Sequence, residues 1–113
     1  MIIVFSNDQT VSVLPDIDSV HRECEAVDVE DGAYRFFDES GRHLLVHWTS
    51  FVERRSLFGG SESVGGGRFE LELDPQDDGS GFEASLSNVV AIAPNPTFET
   101  IEDLARYVSA NGH

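Results

Sequence analysis

Ala26-Val27-Asp28-Val29-Glu30-Asp31-Gly32-Ala33-Tyr34-Arg35-Phe36-Phe37-Asp38-Glu39-Ser40-Gly41-Arg42-His43-Leu44-Leu45-Val46-His47-Trp48-Thr49-Ser50-Phe51-Val52 alternates apolar runs with two acidic, glycine-containing turns. Asp-Gly between apolar runs is a strong hairpin signal. The pattern predicts strands at Ala26 to Val29, Ala33 to Asp38 and Arg42 to Val52, separated by turns at Glu30-Asp31-Gly32 and Glu39-Ser40-Gly41. On the third strand Leu44, Val46, Trp48 and Val52 face one way, and His43, Leu45, His47, Thr49 and Phe51 the other. Two tight turns in succession make a meander.

Outward from this meander the chain divides into short pieces. Ile2 to Phe5 reads as a buried strand, joined through Asn7-Asp8 to a second strand at Val11 to Leu14. Asp16 is the expected N-cap of a helix that places Ile17, Val20 and Cys24 on one face, pairs Asp18 with Arg22, and ends near Glu25. Arg68 to Asp74 alternates cleanly, with Phe69, Leu71 and Leu73 inward and Arg68, Glu70, Glu72 and Asp74 outward. Phe82 to Leu86 is expected to continue the sheet and Val89 to Ala93 to close it. After Pro94-Asn95-Pro96, Thr100 caps a last helix with Ile101, Leu104, Ala105 and Val108 as its apolar face, Glu102 paired with Arg106, and Gly112 at its end. The expected fold is one α+β domain over residues 1–113. It is an antiparallel sheet of about six strands, a meander of hairpins, with an early short helix and a C-terminal helix on one face.

Charge narrows the partners. The 113 residues carry 21 acidic side chains against seven arginines and no lysine, a net charge of −14. Such a field attracts basic partners and repels nucleic acid and anionic membrane. At 40% hydrophobic residues the chain has too much apolar content for a disordered acidic tail. Met1 to Phe5 lacks the basic start and the length of a signal peptide, and one cysteine, Cys24, excludes an internal disulfide. The expectation is a cytoplasmic protein. The dominance of Arg over Lys fits base composition and also a high-salt habitat.

The chemical motifs are incomplete. Asp74, Asp78 and Gly79 match positions of a calcium loop, but Gln76 misses another and Ser85 stands where the bidentate glutamate belongs. The expected reading is an acidic turn, with a weak calcium site between Asp74 and Glu83 as the alternative. His43 and His47 share a strand face about 13 Å apart, too far for one zinc ion. The loop from Gly59 to Gly67 lacks the lysine of a phosphate-binding loop, and Arg54-Arg55 alone makes no nucleic-acid footprint. Glu70 and Glu72 stand about 6.6 Å apart on one strand face, on the side expected to meet solvent, where acid–base catalysis gains little. No serine sits in a nucleophile elbow. The expectation is therefore no enzyme and no cofactor, metal or catalytic residue.

What the chain has in abundance is acid. Glu70, Glu72, Asp74, Asp77 and Asp78 are the candidate partner-binding acids, with Glu30-Asp31 and Asp38-Glu39 at turn tips. Trp48, Phe51 and Phe58 are candidate apolar anchors, core packing being their alternative role. A small acidic chain that opens on a strand, carries the hairpin from Glu25 to Asp38 and closes on a helix resembles bacterial immunity proteins of secreted-toxin systems. The resemblance implies a binding protein whose acidic surface plugs a basic toxin and does no chemistry. It covers overall character and assigns no residue a role. The other readings are an accessory or oligomeric protein, monomer or homodimer, whose charge only keeps it in solution, and a calcium- or sugar-handling module.

Overall fold

Three successive side chains near the start of the chain, Ile3, Val4 and Phe5, are buried. Successive residues of a strand point to opposite faces, so a strand buried on both needs a layer above it and a layer below. The computed structural model, which describes residues 1–50, 53–55, 61–63 and 68–111, supplies both layers. In chain order its elements are β1 (Ile2–Ser6), β2 (Thr10–Leu14), α1 (Ile17–Glu23), α2 (Ala26–Glu30), β3 (Tyr34–Asp38) and β4 (His43–Ser50). There follow β5 (Glu53–Arg55), β6 (Ser61–Ser63), β7 (Arg68–Leu73), α3 (Ser80–Ser87), β8 (Ala91–Ile92) and α4 (Ile101–Asn111).

The protein is α+β, with a six-stranded sheet in the order β7-β4-β3-β1-β2-β8. Its pairs are antiparallel except β2 with β8, which run parallel through Thr10–Ala91 and Val11–Ile92. Strands β5 and β6 pair separately. On one face Ile3, Phe5, Val11 and Phe37 pack against Phe82, Phe98, Leu104 and Val108, which belong to α3, α4 and the segment between. The rings of Phe5, Phe37 and Phe82 meet edge to face at centroid distances of 5.4 to 5.5 Å. On the other face Val4, Phe36 and Phe69 pack against Val20, Cys24 and Val29 of the α1–α2 segment.

Helices thus cover both faces, not one as the element pattern predicted. The physical reason is the pair of unbroken apolar runs, Ile3-Val4-Phe5 and Phe36-Phe37, each of which buries side chains in both directions. Two predicted strands are helices. Ala26–Glu30 is α2, and Asp31-Gly32 is its C-terminal cap in place of a hairpin turn: Gly32, at φ +77°, donates to the Val29 carbonyl and Ala33 to that of Asp28. A positive φ serves a hairpin and a helix cap equally, so the dipeptide signals both. The segment expected to continue the sheet at Phe82 to Leu86 lies in α3. Phe82 and Ser85 are buried and Leu86 and Val89 half-buried, a spacing of three and four residues. The last strand shrinks to Ala91–Ile92 and pairs parallel.

The helix caps follow the sequence. Asp16 Oδ1 accepts the Ser19 N–H at 2.8 Å, and Thr100 Oγ1 accepts that of Asp103 at 3.1 Å. The ion pairs do not. Arg22 donates to Ser19 Oγ, not Asp18, and Arg106 lies 3.8 Å from Asp103. Helix α1 ends at Glu23, with Cys24 as its cap. Of the glycine-rich stretch Gly59 to Gly67, Ser61–Ser63 form β6, and the rest lies outside the described residues, as does Gly112.

Candidate functional site

Helices α3 and α4 rest on the apolar side chains of β1, β2 and β3, and among the described residues the middle of β4 and β7 on that face stays exposed. The antiparallel register sets Leu45 opposite Glu72 and His47 opposite Glu70. Glu70, Glu72, His47 and Thr49 are all exposed, and Leu45 among them is 42% exposed. This bare half-face is polar because residues 45, 47 and 49 of β4 and 68, 70 and 72 of β7 share it, and only Leu45 of these is apolar. Their alternate neighbours Leu44, Val46, Trp48, Phe69 and Leu71 go to the opposite face, under the α1–α2 layer.

Trp48 therefore does not share a surface with Glu70 and Glu72. Its ring packs edge to face on Phe69 at 5.4 Å, and it is half-buried. His21 completes that stack on Phe69 at 4.7 Å. Phe51 and Phe58, the other proposed anchors, lie outside the described residues. On these two strands Leu45 and Leu73 are exposed apolar side chains: Leu73, expected to face inward, shares the side of Phe69 and Leu71 but is 51% exposed because it stands at the end of β7. The signal for Leu45 was present: it is the one aliphatic residue on the polar face of its strand.

The loop acids have a different occupation. Asp74 Oδ1 accepts the Gln76 N–H at 2.9 Å, and Oδ2 accepts from His43 Nδ1 at 3.0 Å. Asp77 Oδ1 accepts the Gly79 N–H at 3.0 Å, and Oδ2 takes the His43 N–H at 2.8 Å, which docks the loop on the first residue of β4. Asp78 Oδ1 accepts both the N–H and the hydroxyl of Ser80 at the start of α3. The side-chain bond from His43 and then the Gln76 N–H hold the Asp74 carboxyl below the usual aspartate range. The Ser80 hydroxyl and N–H do the same for Asp78. These three carboxylates are turn and cap acceptors. Among the described residues no group of three or more His, Cys, Asp or Glu side chains is placed to hold a metal ion.

Acid at the β3–β4 turn is spent similarly. Asp38 Oδ1 accepts from the Ser40 and Arg42 N–H groups, and its Oδ2 pairs with Arg42 Nε at 2.8 Å. Glu39 accepts from the Tyr107 hydroxyl at 3.3 Å. Cys24 is buried, and burial, with Glu23 and Asp28 adding to it, pushes its thiol up to about 11. A thiol of that kind is a poor nucleophile at neutral pH. The structure thus separates the acids: Glu30 ends α2 with Asp31 as its cap, and Glu39 holds Tyr107. Asp38, Asp74, Asp77 and Asp78 build turns, whereas Glu70 and Glu72 stand on a bare sheet face.

Among the described residues no helix is long and apolar enough to cross a membrane. Comparison with protein-family models, with curated proteins and with solved structures finds no match to the chain.

Proposed function

We propose that the protein is a non-enzymatic binder that engages a basic protein through the half-face formed by β4 and β7, as an immunity protein neutralises a toxin. The observation that carries this reading is the placement of Glu70 and Glu72 beside exposed Leu45, on the part of the sheet that α3 and α4 leave bare. Two carboxylates spaced along a strand attract cationic side chains, and an apolar residue beside them contributes burial once water leaves. The overall charge of −14 adds long-range attraction that speeds encounter with a basic partner. The free, buried Cys24 suits the reducing interior of a cell.

The test is capture from the native organism's lysate at low salt, using the wild-type protein and a Glu70→Arg/Glu72→Arg variant side by side. One basic protein, retained in stoichiometric amount by the wild type and lost with the variant, supports the reading. Equal retention by both removes this face from the site, and an empty wild-type column refutes the proposal.

A further inference from the structure

We infer that the outer edge of β7 is a strand-addition site for an extended segment in which basic and apolar residues alternate. Strand β7 ends the sheet, and among the described residues none pairs with its outer edge. The direction of its backbone groups follows from the register. The Asp74 N–H donates to the His43 carbonyl at 3.0 Å, so these two form a hydrogen-bonded pair. Such pairs alternate along an antiparallel ladder, which assigns Glu72 with Leu45 and Glu70 with His47 to the same class. Phe69, Leu71 and Leu73 consequently turn their N–H and C=O groups away from β4, toward the open edge. An edge of this kind is a template for another strand.

The side chains along that edge specify the visitor. An added strand continues the pleat, so its residues opposite Glu70 and Glu72 emerge on the bare half-face, beside two exposed carboxylates. Those opposite Leu71 and Leu73 emerge on the other face, where Leu73 is 51% exposed and Leu71 half-buried. Lysine or arginine at one set of alternate positions and aliphatic residues at the other complete both surfaces. A second copy of this chain fits poorly. Pairing β7 with β7 sets Glu70 and Glu72 against their own copies and brings together two chains of charge −14. This inference rests on the proposed binding reading for the partner's charge, and adds how the partner is held.

Amide hydrogen exchange followed by NMR tests it, using as probes a peptide of alternating arginine and valine and a block peptide of the same composition. In the free protein the amides of Phe69, Leu71 and Leu73 should exchange quickly and those of Glu70, Glu72 and Asp74 slowly. The alternating peptide should protect the first set, and the block peptide should not. Leu73→Pro removes one outward donor and should weaken the alternating peptide about tenfold. Equal binding of both peptides with no protection at Phe69, Leu71 and Leu73 overturns strand addition and leaves the acidic-face reading standing. Absence of binding by either peptide at low salt overturns both. Protection that grows with protein concentration and no peptide assigns the edge to a second copy and overturns the inference.

Discussion

Gly41 lies in the turn between β3 and β4 at φ +82°, and a Cβ built there would sit 2.9 Å from Val108 Cγ1 of α4 and 3.5 Å from Phe82 of α3. Gly41→Ala therefore carries two costs. The left-handed backbone costs any L side chain about 1–2 kcal/mol, and crowding in a packed core adds about 1–3 kcal/mol. Gly32→Ala isolates the first cost, because Gly32 has a similar φ of +77° with nothing within 4 Å of the added carbon. We expect Gly32→Ala to lose about 1 kcal/mol and Gly41→Ala about 3 kcal/mol. For a chain of 113 residues one kcal/mol corresponds to about 4 °C in Tm. Thermal denaturation followed by circular dichroism should then place Gly41→Ala roughly 8 °C below Gly32→Ala. Val108→Ala removes the obstructing methyl, so in that background Gly41→Ala should cost about 1 kcal/mol less. If Gly41→Ala melts with Gly32→Ala, α4 does not sit over this turn. The border between the covered and bare halves of the sheet would then be drawn wrongly.

Three further outcomes are expected. The hydrogen bonds that lower the Asp74 carboxyl make its stabilising contribution fully present above the ordinary aspartate value of about 3.9 and lost as pH falls below it. The Tm gap between wild type and Asp74→Asn should accordingly shrink between about pH 5 and pH 3; a gap independent of pH would refute the assigned role. Cys24, buried and pushed up to about 11, should resist iodoacetamide at pH 7.5 in the native protein and react fully in urea, as mass spectrometry will record; native labelling at the unfolded rate would contradict its burial. Association with the captured basic partner should slow at least tenfold between low and physiological salt. Glu70→Arg/Glu72→Arg should slow it further with Tm nearly unchanged, and a salt-independent on-rate would exclude steering.

Local signals in the chain are legible where one residue has one use. Asp16 and Thr100 cap helices because a short oxygen-bearing side chain before an apolar period has few other roles. The alternation from Arg68 to Leu73 fixes which residues of β7 face which way, and with it the exposure of Glu70 and Glu72. A signal with two uses does not specify one structure. Asp31-Gly32 serves a left-handed residue in a turn or a helix cap, and Phe82, Leu86 and Val89 are too few to separate a period of two from one of 3.6.

The class, the charge, the N-caps of α1 and α4 and the alternation of β4 and β7 are written locally, because each depends on residues close together along the chain. Which acids remain available to a partner depends on contacts between distant parts of the chain. Asp77 reaches His43 across 34 positions and Tyr107 reaches Glu39 across 68, and no local pattern encodes contacts of that span. The same holds for the helices on both faces and for β7 as an edge. Both follow from how layers close over the buried runs at Ile3-Val4-Phe5 and Phe36-Phe37, and that closure is a property of the whole chain.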